Sequence, residues 1–377
     1  VTTYLLAGGG TAGHVNPLLA TADKLRELRA QHAPAGAGAG IMKDDARVIV
    51  LGTAEGLEAR LVPQRGYELV TIPKLPFPRR VNGAALRFPA RWRATVRQVQ
   101  RLIAERGVDV VVGFGGYAAA PAYLAARRSK TPLVLHEANA RPGLASRLGA
   151  RITPFVGVAF RGTPLPHARF VGMPLRPEIE NLDRSAARAA ARERFGLDER
   201  PVLLVTGGST GARTINRTLL AAAPGILGAG YQVVHIQGGA HEFDDPGLPG
   251  YHLLDYVDDM QLALAAADAV VSRSGSATVS ELTAIGIPAV YIPYPVGNGE
   301  QRFNVAGVVA AGGGVVIEDA LFTTAWVESN LVPLLADRER LAVMAQAAAS
   351  VGVADGAERL VALIDEARSA APRDARG

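Results

Sequence analysis

Short apolar runs rich in β-branched residues recur along the chain, at 3–7, 47–51, 108–113, 132–136, 201–206, 231–237, 267–272 and 288–293. Stretches rich in Ala, Leu and Arg, with helical spacing, separate them. This alternation predicts βαβ units around parallel sheets, an α/β fold. The stretch 172–185, "GMPLRPEIENLDRS", breaks the pattern with two prolines set among polar residues, as a boundary segment does. Both sides of the break open alike. Strand 3–7, loop 8–13 and helix 15–30 are matched by strand 201–206, loop 207–211 and helix 212–223. Two doubly wound Rossmann-like domains facing a central cleft are therefore expected, with ligands outside the carboxyl ends of the strands. The expected limits are 1–172 for the first domain, 173–184 for a hinge and 185–352 for the second domain. A C-terminal helix and tail, 353–377, would return to the first. The segment 33–45, "APAGAGAGIMKDD", reads as a flexible insertion after the first helix.

Composition narrows the chemistry. Of 377 residues, 49% are hydrophobic and 20% charged, which suits a packed soluble protein. The absence of Cys removes disulfides, thiolate catalysis and zinc–cysteine sites. A net charge of +5 suits an anionic ligand or surface and falls short of a nucleic-acid signature. No secretory leader pattern and no bilayer-length apolar run is seen, so a cytoplasmic protein is expected.

Three strand-to-helix loops carry candidate chemistry. In "LLAGGGTAGHVNP", Gly8, Gly10 and Gly13 form G-x-G-x-x-G, where backbone amides and a helix start can approach a ligand. A nicotinamide or flavin site is one reading. The acid usual at the end of its second strand is missing, because Gly52 and Thr53 stand there. His14 follows the last glycine, and an imidazole titrates near neutral pH, so it is the first candidate for a general base. In "TGGSTGARTIN", Gly207, Ser209 and Gly211 also satisfy G-x-S-x-G, but Asp255 has no His after it to complete a hydrolase triad. A phosphate cradle with Ser209 as donor is the better reading.

The third loop, "RSGSATVSE", opens a helix with Ser276 and Thr278 in its first turn and Glu281 about one turn on. Free amides and hydroxyls at that start suit a diphosphate. Glu281 suits the two hydroxyls of a ribose, since an ionised carboxylate only accepts. Asn298, Glu300, Gln301 and Asn304 in "GNGEQRFN" are expected on a loop suited to a hydroxyl-rich sugar. "GFGGYAAAP" and "LHEANARPG" follow first-domain strands, and Glu137 and Asn139 there are placed to hold an acceptor molecule.

Taken in order, "GGGTAGHVNP", "GFGGYAAAP", "LHEANARPG", "VGMPLRPE", "TGGSTGARTIN", "YVDDM", "RSGSATVSE" and "GNGEQRFN" resemble the MurG family, glycosyltransferase family 28. The resemblance implies a GT-B fold. It implies an inverting transfer of N-acetylglucosamine from UDP-N-acetylglucosamine to lipid-linked N-acetylmuramyl-pentapeptide, lipid I to lipid II, in peptidoglycan synthesis. Matched by motif, the donor contacts would be Thr11, Ala12, Gly13, Asn139, Arg176, Ser209, Val257, Ser276, Ala277, Thr278, Val279, Ser280, Glu281 and Gln301. The catalytic candidates are His14 and, second, Glu137, because a carboxylate is ordinarily a weak base at neutral pH. No metal and no cofactor is expected. Ala12 stands where a glycine is usual, and Glu300 precedes Gln301 where some members carry two glutamines. A UDP-sugar epimerase shares the two-domain plan and is the enzyme alternative; a nucleotide-binding adaptor is the non-catalytic one.

A lipid-linked acceptor calls for a bilayer-facing surface. No acidic residue lies between Glu68 and Glu105, whereas Lys74, Arg79, Arg80, Arg87, Arg91, Arg93, Arg97 and Arg101 do. Leu75, Phe77, Leu86 and Phe88 lie among them. Trp92, Val96, Val99 and Ile103 share one helical face, expected to pack inward; Arg93, Arg97 and Arg101 share another. The 79–101 region is thus expected to meet anionic head groups, at about 1 kcal/mol per arginine. This places the chain peripherally on the cytoplasmic face of the membrane, with a wall-synthesis complex as a further expected partner and no nucleic acid.

Overall fold

The computed structural model describes residues 1–31, 46–76, 83–239, 243–296 and 299–370. The chain divides into two compact units. Unit 1 is Val1–Arg176 together with the chain from Asp355 onward; unit 2 is Pro177–Ala354.

Unit 1 holds a seven-stranded parallel sheet built from β1 (Thr2–Ala7), β2 (Ala46–Gly52), β3 (Glu68–Thr71), β4 (Val110–Gly113), β5 (Leu133–Glu137), β6 (Val156–Val158) and β7 (Ala168–Phe170). Its order is β3-β2-β1-β4-β5-β6-β7. The period of two along β1 sends Tyr4 and Leu6 into the core on one face and Leu5 and Ala7 into the core on the other. Both faces are covered, which is why the strand reads as a continuous apolar run. Strand order reverses between β1 and β4, where Ala7 pairs with Gly113. The loops that leave these two strands therefore start side by side, at the switch point where α/β sheets bind ligands.

The helix Gly356–Ser369 joins unit 1 by burying Leu360, Ile364 and Ala367 in the core beneath the helix Ala12–Gln31. Burying each large side chain is worth about 1.5–3 kcal/mol. Arg29 pairs with Asp365, and Arg368 Nη1 donates to Thr2 Oγ1 at 3.2 Å.

Unit 2 repeats the plan with β8 (Val202–Thr206), β9 (Gln232–Ile236), β10 (Tyr251–Leu254), β11 (Ala269–Ser272), β12 (Ala289–Tyr291) and β13 (Gly314–Val316), ordered β10-β9-β8-β11-β12-β13 and all parallel. The reversal falls between β8 and β11, with Thr206 opposite Ser272.

The expected α/β architecture holds, and the difference lies at the margins. Strands β3, β7, β10 and β13 are the sheet edges, each of three or four residues that are only partly buried. An edge strand is half-solvated, so its sequence carries no long apolar run.

The helix Gly83–Glu105 buries Val96, Val99 and Ile103 against the sheet, while Arg87, Arg91, Arg93, Arg97 and Arg101 are exposed. Phe88 stacks on Trp92 with ring centroids 5.6 Å apart, and Leu86 is 80% exposed. Leu75, expected at the surface with its neighbours, is instead buried in unit 1. Phe77, Arg79 and Arg80, the insertion 33–45 and Asn298 lie outside the described residues. Among the described residues, no helix is long and apolar enough to cross a membrane.

Candidate active site

Two glycine loops of unit 1 meet at its switch point. The first leaves β1 and enters the helix Ala12–Gln31; the second leaves β4. A side chain on Gly116 would put Cβ 2.3 Å from the Gly9 carbonyl, and φ there is +81°, so only glycine lets the loops touch. The His14 ring lies across this junction. Its Nδ1 is 3.2 Å from Thr11 Oγ1, and its Nε2 faces Gly115, where an added Cβ would come within 3.1 Å. The Thr11 carbonyl accepts from the amides of His14 at 3.0 Å and Val15 at 3.1 Å. The ring is thus held from its own helix turn, with one nitrogen turned to a hydroxyl and the other toward the neighbouring loop.

Beneath the first loop lies a carboxylate that the sequence pattern did not mark. Glu58 opens the helix Glu58–Gln64 and is 0% exposed. Its Oε2 accepts the Gly10 N–H at 2.8 Å; its Oε1 accepts both the amide and the hydroxyl of Thr53, each at 2.8 Å. Burial by itself raises the proton affinity of Glu58, but the hydrogen bonds from Gly10 and Thr53 prevail and hold the carboxyl below its usual range. Side chains on Gly9 or Gly56 would strike this carboxylate, at 2.2 and 2.0 Å, and one on Gly52 would strike its Cγ at 2.5 Å. The bare backbone of Gly9 and the inward Gly10 amide are therefore explained by an internal anion. Of the backbone amides expected to be able to approach a ligand, that of Gly10 is already bonded to Glu58.

Glu137 ends β5 at 4% exposure. Its Oε1 accepts the Asn139 amide at 2.8 Å and its Oε2 the Gly143 amide at 3.1 Å. Both oxygens thus shape the loop that carries Asn139, which draws the residue away from the role of a free base. Next to it, His136 Nε2 donates to the Gly172 carbonyl at 2.9 Å. Burial pushes its imidazole down to about 4 despite that bond. Arg176, half-buried, ends the first segment of unit 1.

The switch point of unit 2 is built differently. The loop after β8 packs closely on the loop after β9, and the Gln237 carbonyl there also accepts from Asn216 Nδ2 at 2.9 Å. At Gly211, φ is +75° and an added Cβ would lie 2.3 Å from the Gln237 carbonyl. Ser209 is exposed, and its carbonyl accepts the Gly239 amide at 3.2 Å. Beside it, β11 leads through Arg273, Ser274 and Gly275 into the helix Ser276–Ala284. The first helical bond runs from Val279 N–H to Gly275 O at 3.0 Å, so the amides of Ser276, Ala277 and Thr278 stand ahead of the ladder. A Cβ on Gly275 would meet nothing nearer than Thr278 Oγ1 at 3.9 Å, so the approach to these amides is open. Ser280 and Glu281 follow on the same helix, and Val257 is buried just beyond β10.

Arg273 ties this edge together. It pairs with Asp319 at 2.5 Å and donates to the carbonyls of Ile292 and Pro293, each at 3.3 Å. Asp319 in turn accepts from Thr214 Oγ1 at 2.9 Å. Gln301 Oε1 accepts the Tyr294 amide at 3.0 Å and pins the loop after β12. The residues Glu300–Asn304 form a short helix rather than the expected loop, and Asn304 is 1% exposed with its Nδ2 donating to the Ser274 carbonyl at 3.2 Å. Asn304 therefore builds the floor of the loop after β11 instead of reaching a sugar.

Comparison with known proteins follows these features. The C-terminal domain of glycosyltransferase family 28 matches residues 202–360, and the N-terminal domain of the same family matches residues 34–157. The UDP-N-acetylglucosamine--N-acetylmuramyl-(pentapeptide) pyrophosphoryl-undecaprenol N-acetylglucosamine transferase of Leifsonia xyli subsp. xyli is 66% identical over 374 residues, covering 98% of this chain and 100% of that protein. The protein of the same description from Clavibacter sepedonicus is 62% identical over 374 residues, covering 99% and 98%. Among solved structures, Acinetobacter baumannii MurG is similar with a TM-score of 0.77 at 25% identity, covering 97% of this chain and 100% of that one.

Proposed function

The chain belongs to glycosyltransferase family 28, and on that premise we propose that it transfers N-acetylglucosamine from UDP-N-acetylglucosamine to the 4-hydroxyl of undecaprenyl-pyrophosphoryl N-acetylmuramyl-pentapeptide. The observation that carries this reading is the 66% identity to a transferase of that description across 98% of the chain.

The chemistry of the two switch points distributes the work. The diphosphate of the donor belongs on unit 2, where the open amides of Ser276, Ala277 and Thr278 and the exposed Ser209 offer donors to an anion. Glu281 accepts from the ribose hydroxyls, and Val257 lies at the base side. Gln301, its Oε1 already bonded to Tyr294, has its amide N–H groups for the sugar. Unit 1 supplies the base and the acceptor side through His14 and the loop of Asn139, with Thr11, Ala12 and Gly13 nearest the reacting sugar.

The reaction is one displacement. The muramyl 4-hydroxyl oxygen attacks the anomeric carbon, and the bond from that carbon to the diphosphate oxygen breaks. The electron pair leaves with UDP, and the configuration inverts from α to β. The hydroxyl proton passes to His14 Nε2, while Nδ1–H donates to Thr11 Oγ1 and keeps the ring in that tautomer. Helix-start amides oppose the negative charge that grows on the leaving diphosphate.

The exposed arginines from Arg87 to Arg101, with the exposed Leu86, meet the anionic cytoplasmic leaflet that holds the acceptor. The test is incubation with UDP-N-acetylglucosamine and a short-chain lipid I analogue. Disaccharide product supports the reading. Free UDP without disaccharide contradicts it and returns the chain to a hydrolase or epimerase.

A further inference from the structure

Two carboxylates are buried among the described residues, Glu58 and Glu137, and the reaction above uses neither as a reactant. Glu58 is the more unusual. Among the described residues its oxygens are met by hydrogen-bond donors, and no ion pair to it is seen. An anion kept from water without a counter-charge is costly, so its role has to need a charge-strength acceptor. The three groups it holds are all donors: Gly10 N–H, Thr53 N–H and the Thr53 hydroxyl. A neutral glutamine has one acceptor oxygen, and its NH2 would have to face one of those donors.

The Gly10 amide is the one that matters for chemistry. It precedes Thr11, whose hydroxyl faces the His14 ring and whose carbonyl receives the first bonds of the helix that carries it. We propose that Glu58 is a positioning residue for transfer, holding the Gly10 amide beneath the first glycine loop and thereby fixing Thr11 against the ring of His14. This rests on the reading of His14 as the base.

A double-mutant cycle tests it in the full-length enzyme, with UDP-N-acetylglucosamine and a short-chain lipid I analogue. In the wild-type background, Glu58→Gln lowers kcat by about 10–100-fold, the scale of a base displaced by a fraction of an ångström to an ångström. The dissociation constant for UDP, read by calorimetry, stays within about twofold, because the diphosphate and ribose are assigned to unit 2. In a His14→Ala background, the same substitution changes the residual rate by less than about twofold, because the group it positions is gone. An equal loss in both backgrounds, an unchanged kcat, or a rise confined to KM overturns the positioning role. If Glu58→Gln does not fold, Glu58→Asp keeps the charge but is too short to reach Gly10 and Thr53 together, and the same outcomes decide. Wild-type enzyme that makes no disaccharide sinks the proposed function whatever Glu58 does. A His14→Ala variant as active as wild type sinks the base and with it this inference. An active wild type with additive losses sinks the positioning role alone.

Discussion

The two glycine loops at the switch points follow one plan and differ in what lies underneath. In unit 1 the backing is a buried anion, and the Gly10 amide is turned down onto it. In unit 2 the group beneath the loop is a neutral carbonyl, that of Gln237 against Gly211, and the amides of Ser276, Ala277 and Thr278 at the neighbouring helix start stand ahead of its ladder. A diphosphate would be repelled by the first arrangement and attracted by the second. On the proposed function, similar strand–glycine–helix sequences would serve opposite ends of a transfer reaction, one carrying a base and the other a leaving group. The pattern of glycines does not distinguish them; the group beneath the loop does.

The contrast breaks most sharply at His14. His14→Ala is expected to lower kcat by about 10²–10⁴-fold while leaving UDP affinity intact, as read by steady-state kinetics and calorimetry. Turnover within a few-fold of wild type would mean that unit 1 does not supply the base.

Acid tests both units together. His136 in unit 1 and His235 in unit 2 are each pushed by burial to about 4 from an ordinary value near 6.5. His235 is tied to Tyr251 at 2.7 Å and Asn216 at 3.1 Å. Because the unfolded chain binds more protons between pH 4 and 6.5, stability rises with pH across that window. It is fully present above about 6.5 and is lost as pH falls toward 4, by up to about 3 kcal/mol per histidine. Thermal melting against pH measures this, and His136→Phe should flatten the slope. A melting temperature independent of pH over that range would contradict it.

On the unit 2 side, Glu281→Ala should weaken UDP binding about 10–100-fold, the loss of charge-assisted hydrogen bonds to a ribose. Unchanged affinity by calorimetry would remove the ribose role. The smallest effect belongs to the basic face. Replacing Arg97 alone by Gln should reduce binding to vesicles rich in anionic lipid about fivefold, with activity on a short-chain soluble acceptor retained. Equal binding of variant and wild type would leave that face an ordinary solvated one.

How much of this was readable in the chain follows from the range of each interaction. The long central strands and the loops that leave them were legible, because burial on both faces writes an apolar run and a tight turn writes glycine. The strands ELVT, ARF and GVV were not, since three or four half-exposed residues carry no period. That His14 stands at the turn out of β1, beside the loop of Gly115, was legible from its place after the glycines.

Glu58 was not. The acid expected at the end of β2, where Gly52 and Thr53 stand, comes instead at the first residue of the next helix and reaches back. Its other partner, Gly10, is 48 residues away in the chain. The surplus of glycines at 9, 52 and 56 was its signal, visible only once three separate segments are seen to surround one carboxylate. Asn304 shows the converse. Its motif suggests a sugar contact, and its side chain is spent on the Ser274 carbonyl.

Amide hydrogen exchange with and without UDP, read peptide by peptide, tests the central contrast most directly. The account predicts slowed exchange at 207–211 and 274–281, the neutral-backed loops of unit 2, with residues 8–14 unchanged by UDP alone. Slowing at 8–14 without slowing at 274–281 would put the diphosphate over the buried anion and contradict the account.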